Sequence, residues 1–352
     1  MRRMGKNNTT IYDVARLSGV SVATVSRVLG NAAYPVSLET RRKVLHATQQ
    51  LHYTVNITGK TLKTQSTREI GVIVPNISNP SYAQLVQGIQ AVATENDYDI
   101  LLYNSNRDGE MERRNFKKLL EKRVDGILLV SIRAETDMLS RARELNCRLI
   151  SVEQDPGLQQ LHVGYDYTRA GELATEYLIR CGHRRIGFIG APLDRTSRYQ
   201  MLEGYRQALA RAGLEERAEI VWLKGAEAGH NGLFEVENGR AAAQFFCEQK
   251  IGMTACVCLN DLTALGAMQK FADYGFRVPQ DISMIGFDNI AYGELSTPRL
   301  TTIDQHAERM GREAMRLMVR QIDNPDEEGK RIMLEPNLVI RESVAPFMRE
   351  KA

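Results

Sequence analysis

Arg27 stands one helical turn beyond the small residues Val22 and Ala23, in a stretch whose spacing exposes all three. A guanidinium placed there can donate two parallel hydrogen bonds to O6 and N7 of guanine, with a phosphate contact as the alternative. Val22 and Ala23 cannot make bidentate bonds, so they suit thymine methyls and groove shape. Hydroxyls on Thr10, Tyr12, Ser21, Thr24 and Ser26 fall at helix ends and edges, where they can reach phosphates. Tyr12 can equally serve packing. The elements needed to present these groups are two short helices joined by a tight turn. Ile11, Val14 and Ala15 fall at i, i+3, i+4, and Val25, Val28 and Leu29 repeat the pattern. Thr10 with Asp13 has the form of a capping box, Gly19 supplies the turn, and Ser21 can cap the second helix. Spacing alone is also compatible with an ordinary helical hairpin.

A second set of chemical groups lies farther along. Open α/β sheets bind small molecules outside the carboxyl ends of their strands. Polar residues just past expected strands are Asn76 and Asn79, Asp166 after Val163-Gly, Asn260-Asp261 after Cys258-Leu, and Asp288-Asn289 after Ile285-Gly-Phe. Asp261 and Asp288 could instead cap helices or serve turns. The strands themselves are expected over Ile70–Val74, Ile100–Tyr103, Gly126–Val130, Leu149–Val152, Ile186–Ile189, Thr254–Leu259 and Ile282–Phe287. Amphipathic helices such as Tyr82–Glu95, Glu112–Lys122 and Asn260–Tyr274 alternate with them, which argues for parallel sheets. Before the first strand, Ser37 opens a third helix toward Leu51, and residues 54–67 are polar and β-branched, as in a linker.

The 352 residues suit two or three domains, and 43% hydrophobic with 25% charged residues is ordinary for a globular chain. Residues 1–67 hold ten Lys/Arg against two acids, so +8 of charge sits there and −5 on the remainder of a chain that totals +3. A basic head on an acidic body points to a polyanionic partner for the head alone. No apolar run of signal-peptide or membrane-span length occurs, so a cytoplasmic location and no membrane partner are expected. Cys147, Cys181, Cys247, Cys256 and Cys258 have no metal or redox spacing, and Cys256-Val-Cys258 reads as buried strand.

Tyr12-Asp-Val-Ala15, Gly19-Val-Ser21 and Thr24-Val-Ser-Arg27 resemble the signature of the lac/galactose repressor family of bacterial transcription regulators. The resemblance continues in order through Leu51-His-Tyr53, Gly71-Val-Ile-Val-Pro75, Val124-Asp-Gly126, Gly182-His-Arg-Arg-Ile186, Asn260-Asp261, Gly286-Phe-Asp-Asn289 and Leu300-Thr-Thr302. It implies a small all-α helix-turn-helix DNA-binding head plus an α/β core of two doubly wound parallel-sheet lobes, periplasmic-binding-protein-like. The implied divisions are 1–53 for the head, 54–67 for a hinge and 68–345 for the effector-binding and dimerisation core. Lobe 1 would take about 68–165 and 303–333, and lobe 2 about 166–302 and 334–345.

The resemblance also implies a homodimer on a pseudo-palindromic operator, with a small-molecule effector (sugar, nucleoside or related metabolite) between the lobes and no cofactor or metal. It places Tyr82 as a ring against the effector, Arg195 and Ser197 as polar contacts, Asp288 as an acceptor and Leu62 as a minor-groove wedge. Tyr82 could otherwise be core packing.

Four departures stand out. Val55 replaces a common Pro, and Gly59 replaces an Ala in the hinge, at a cost of about 1 kcal/mol to a helix. Met201 takes the place of an arginine frequent in sugar-responsive members, with Arg198 one turn earlier. Lys224–Glu237 is longer and richer in Gly than usual, and reads as a surface loop or lobe edge.

Two rival classes are disfavoured. The basic head and the missing export signal speak against a solute-binding receptor of the periplasmic type. No G-x-G-x-x-G, G-x-x-x-x-G-K-[ST] or G-x-S-x-G follows a strand, which speaks against an enzyme on a doubly wound fold. His183 is read as opening a strand. Beyond Ile340 no leucine heptads follow, so assembly is expected to stop at the dimer.

Overall fold

The computed structural model describes residues 9–30, 36–53, 66–130, 136–145, 147–153, 161–225, 233–327 and 330–347. Val55, Gly59 and Leu62 lie outside these, as does much of the Lys224–Glu237 segment. Contacts divide the chain into two compact units, Met1–Thr67 and Arg68–Ala352.

The first unit contains α1 (Ile11–Ser18), α2 (Val22–Leu29) and α3 (Leu38–Gln50). Its helix ends are set by local chemistry. The Asp13 carboxylate accepts hydrogen bonds from the Thr10 backbone N–H at 3.0 Å and the Thr10 hydroxyl at 2.7 Å. Gly19 closes α1 in the left-handed region (φ +68°), where a Cβ would be strained. Ser21 and Ser37 cap α2 and α3 by accepting from the N–H groups of Thr24 and Thr40. Val14, Val25, Val28 and Val44 are buried where the three helices meet. At roughly 1.5–3 kcal/mol for each fully buried aliphatic side chain, this cluster carries the small fold.

In the second unit two six-stranded sheets lie in sequence. The first is built from β1 (Glu69–Val74), β2 (Asp99–Asn104), β3 (Gly126–Leu129), β4 (Arg148–Val152), β5 (His162–Tyr165) and the late strand β11 (Arg331–Leu334). Its order is β11-β5-β4-β3-β1-β2, all parallel. The second holds β6 (Ile186–Ile189), β7 (Val221–Trp222), β8 (Ala255–Cys258), β9 (Ser283–Phe287), β10 (Thr301–Asp304) and β12 (Asn337–Val339). Its order is β12-β10-β9-β8-β6-β7, and only β12 runs antiparallel. The expected apolar runs all appear as strands within a residue or two. Cys256 and Cys258 are buried in β8 as core.

Helices α4 (Pro80–Glu95), α5 (Gly109–Glu121), α6 (Thr136–Glu144) and α12 (Ala307–Asp323) accompany the first sheet. The second has α7 (Tyr167–Arg180), α8 (Thr196–Arg211), α9 (Phe234–Glu248), α10 (Asp261–Asp273) and the short α11 (Ala291–Leu295). The chain therefore leaves the first sheet after Tyr165, returns after Asp304 to lay α12 on it, and passes to the second again after Leu334.

Three helix pairs approach so closely that each crossing needs glycine on both partners. A Cβ on Gly88 of α4 would stand 2.0 Å from the Glu308 carbonyl oxygen of α12, and one on Gly311 would stand 2.0 Å from that of Leu85. The same reciprocity joins α7 to α8 through Gly171 and Gly204, and α9 to α10 through Gly239 and Gly266. These crossings seat α8, α9 and α10, whose amino-terminal ends carry cleft residues. Replacing Gly239 with Ala puts a methyl 2.0 Å from the Thr263 carbonyl oxygen. Gly239→Ala is expected to lower stability by about 1–3 kcal/mol. An unchanged midpoint in urea unfolding would show instead that α9 and α10 part without penalty.

Candidate functional site

On the head, α2 turns Val25 and Val28 inward and leaves Ala23, Ser26 and Arg27 exposed, with Val22 half-buried. Thr10 and Ser21 are occupied in capping yet remain exposed, and Ser21 also meets the Thr24 hydroxyl at 2.9 Å. Tyr12 is 67% exposed, which excludes a core role for its ring.

In the core unit a cleft of about 610 Å³, counted to its open mouth, lies between the carboxyl ends of the two sheets. Beyond β1, Asn79 caps α4 by accepting from the Ser81 N–H at 3.0 Å, with Pro80 in the first turn, which aims Tyr82 into the cleft. Arg107 follows β2 and Glu153 follows β4, both with positive φ. Tyr165 ends β5 and packs its ring 4.1 Å from that of Tyr167. From the second sheet come Arg195, Ser197 and Arg198 at the start of α8, Asn260 after β8, and Asp288 after β9. Phe234 and Glu235 enter from the first turn of α9, and Gln305 from the β10–α12 passage.

Of the expected effector contacts, Tyr82, Arg195, Ser197, Arg198, Asn260 and Asp288 meet in this cleft. Asn76, Asp166 and Asp261 do not line it. Asn76 holds its own turn by accepting from the Ser78 N–H at 3.0 Å. Asp166 is the exposed cap of α7, accepting from the Arg169 N–H at 2.9 Å. Asp261 is wholly buried beneath the cleft, where it accepts from the Thr302 hydroxyl at 2.6 Å and the Ile290 N–H at 2.9 Å. His183 is buried between the Thr254 hydroxyl and the Ala345 carbonyl, a tie between loops.

Sequence reasoning missed Arg107, Glu153, Tyr165, Tyr167, Phe234, Glu235 and Gln305. Arg107 and Glu153 do stand just past recognised strands, so the strand-end rule could have found them. Phe234 and Glu235 begin a helix and carry no such signal.

Charge inside the cleft is unevenly satisfied. The Arg107 guanidinium pairs with the Glu235 carboxylate across the cleft and lies 4.7 Å from the centre of the Phe234 ring. Arg198 donates through Nη1 to Asp194 at 2.6 Å and to the Pro192 carbonyl at 2.9 Å. Burial brings both guanidiniums down to about 10, still charged at neutral pH. Burial raises the Glu153 carboxyl from 4.5 to about 7, against the pull of Arg195 and a hydrogen bond from Tyr82. Asp288 is also raised well above the usual carboxylate range by burial and by Asp261, while Asn79 hydrogen-bonds it. Among the described residues no group of three or more His, Cys, Asp or Glu side chains could hold a metal.

A helix-turn-helix head joined in one chain to a two-lobed core with a polar cleft defines a ligand-responsive DNA-binding regulator. The lacI family of bacterial regulatory proteins matches residues 10–56, and a periplasmic binding protein-like domain matches residues 175–344. The transcriptional repressor PurR of Pasteurella multocida is 35% identical over 95% of this chain and 98% of its own length. The transcriptional regulator CelR, solved with cellobiose, is 31% identical with a TM-score of 0.71, over 95% of this chain and 99% of that one. The lac repressor dimer, solved on operator with the anti-inducer ONPF, is 25% identical with a TM-score of 0.84, over 96% and 100%. The chain belongs to the lacI family: it is a DNA-binding transcriptional repressor with an effector-binding core. Its relatives are regulators, and no helix among the described residues is long and apolar enough to cross a membrane.

Glu153 makes the stability of the core pH-dependent. With its folded value raised to about 7, the folded state holds the proton more tightly than the unfolded chain. Stability from this group is therefore full below the ordinary glutamate range and falls as pH rises to about 7. Glu153→Gln is expected to lack that fall, so its melting temperature relative to the parent should improve from pH 5 to pH 8. Parallel melting curves across that range would remove Glu153 as the source.

Proposed function

We propose that this repressor acts in the cytoplasm as a homodimer on a pseudo-palindromic operator. It carries out no chemical transformation and needs no cofactor. Its effector is a small polar metabolite of the sugar or nucleoside class, held in the cleft between the lobes. The observation that carries the reading is the convergence of residues from both sheets on one polar cleft. A ligand touching Tyr82 of one lobe and Asp288 of the other has a free-energy reason to favour the closed arrangement. The relatives support the class: one is the repressor PurR, another was solved with cellobiose.

In this reading α2 enters the major groove, with Val22 and Ala23 against bases, Arg27 on guanine, and Thr10, Tyr12, Ser21, Thr24 and Ser26 along phosphates. Leu62, outside the described residues, is the proposed wedge of the hinge. The divisions at 53/54 and 67/68 and the lobe boundaries belong to the same proposal.

Three experiments test it. Gel shifts with genomic fragments should yield one symmetric site whose affinity falls steeply between roughly 50 and 200 mM salt. Arg27→Ala should lose about 1–3 kcal/mol of discrimination at a single symmetric base position; a uniform loss over all sequences would make it a phosphate contact. Asp288→Ala should leave operator affinity without effector nearly intact and abolish the response to metabolites that shift the parent. A response that persists in Asp288→Ala would place the effector elsewhere.

A further inference from the structure

Three arginines converge on one wall of the cleft. Arg195 is the N-cap residue of α8, Arg198 lies in its first turn, and Arg107 reaches the same wall from the other lobe. They are close enough to disfavour one another's charge: Arg195 and Arg198 both push Arg107 down, and Arg195 pushes Arg198 down. The amino end of a helix adds the positive end of its dipole. It has no side-chain cap and no acidic residue in its first turn. Such an arrangement is unfavourable unless an anion completes it.

The counter-charges present are incomplete. Arg195 Nε is buried with no hydrogen-bond partner among the described residues. Glu235 is 3% exposed and meets Arg107 through one oxygen, while its other oxygen, Oε2, is buried without a partner. Asp194 pairs with Arg198 as Glu235 does with Arg107, and desolvation drives Glu153 and Asp288 toward the neutral acid. Arg107 and Arg198 thus each have one carboxylate partner, whereas no carboxylate among the described residues lies within salt-bridge distance of Arg195. Stacking of Arg107 on Phe234 occupies the face of the guanidinium, so its acceptors, Glu235 among them, must come in the plane.

We propose that the effector carries a phosphate monoester, received by Arg107, Arg195 and Arg198 at the amino end of α8, with Glu235 the internal carboxylate that this phosphate displaces from Arg107. The inference rests on the cleft being the effector site and narrows its ligand to a phosphorylated small metabolite. Asp288, Asn260 and Tyr82 on the remaining walls meet its uncharged part.

The test uses the full chain and three probes: inorganic phosphate, a panel of pentose and hexose phosphates, and the same sugars unphosphorylated. Millimolar inorganic phosphate should raise the melting temperature of the parent more than that of Arg195→Gln. The general salting effect of phosphate is common to both proteins and cancels in this comparison. At least one sugar phosphate should bind tenfold or more tightly than its free sugar and change operator affinity. Glu235→Gln removes the competing carboxylate and should bind phosphate several-fold more tightly. It also keeps the test open if Arg195→Gln folds poorly.

Equal stabilisation of parent, Arg195→Gln and Glu235→Gln by phosphate, with no preference for any phosphorylated sugar, overturns the proposal. If a free sugar then binds and changes operator affinity, the cleft remains the effector site and only the phosphate is wrong. If no probe changes operator affinity and phosphate does not distinguish the variants, the phosphate assignment falls, and a nucleoside panel decides the site itself.

Discussion

The buried carboxylate of Asp261 holds the floor on which the cleft stands. It accepts from the Thr302 hydroxyl on β10 and from the Ile290 N–H just beyond Asp288. Around it, Arg341 donates to the Asn289 side chain at 2.7 Å and to the Leu300 carbonyl at 2.8 Å. Asn289 in turn reaches Asp304 at 3.2 Å. One network thus ties the start of α10, the strained Asp288–Asn289 turn, the last strand before the return to lobe 1, and the segment leading from β12. A buried carboxylate is tolerated only when its oxygens are satisfied. Here the satisfied state exists only when these four segments are assembled. Burial raises Asp261 to about 7 even with those bonds, so its place is earned by positioning more than by charge.

Above that floor, the helices of each lobe are closely packed on one another. Reciprocal glycine crossings press α4 on α12, α7 on α8 and α9 on α10 until backbone meets backbone. Close packing of this kind transmits displacement without absorbing it. Between the lobes run three chain passages and polar ties, among them Arg107 to Glu235 and Asn79 to Asp288. A ligand that replaces these polar ties acts on the relation of whole lobes.

The head was legible in sequence because its determinants are local. Helix period, Gly19 at positive φ and serine caps lie within a few residues of what they control. The sheets were legible for a similar reason, since buried parallel strands read as short apolar runs. The cleft was legible in part. Asp288, Asn260 and Tyr82 could be placed because they follow strands directly or match a family motif. Asp261, adjacent to Asn260, could not be separated from it, since only the tertiary fold shows that the cap faces the cleft and the next residue turns beneath it. Arg107 and Glu235 form their pair from positions far apart in sequence and on different lobes, and no period or motif announces such a meeting. Residues 54–65 of the 54–67 hinge segment, Val55 and Gly59 among them, lie outside the described residues.

The exchange of arginine for Met201 gains its meaning from packing. Met201 is 2% exposed, lines the cleft, and its carbonyl oxygen is the atom Gly171 must stay small to approach. The position is thus held by the α7–α8 crossing and presents an apolar side chain where a guanidinium would otherwise meet ligand. Arg198 lies three residues earlier, about 4.5 Å of helical rise, and stays on the same face of α8. It does not simply replace the missing arginine, because its Nη1 is held by Asp194 and the Pro192 carbonyl at the start of the helix. The positive charge has moved from the middle of the helix face to the amino end, beside Arg195. That end already favours anions, and a ligand read there is selected for charge before it is selected for the pattern of its hydroxyls.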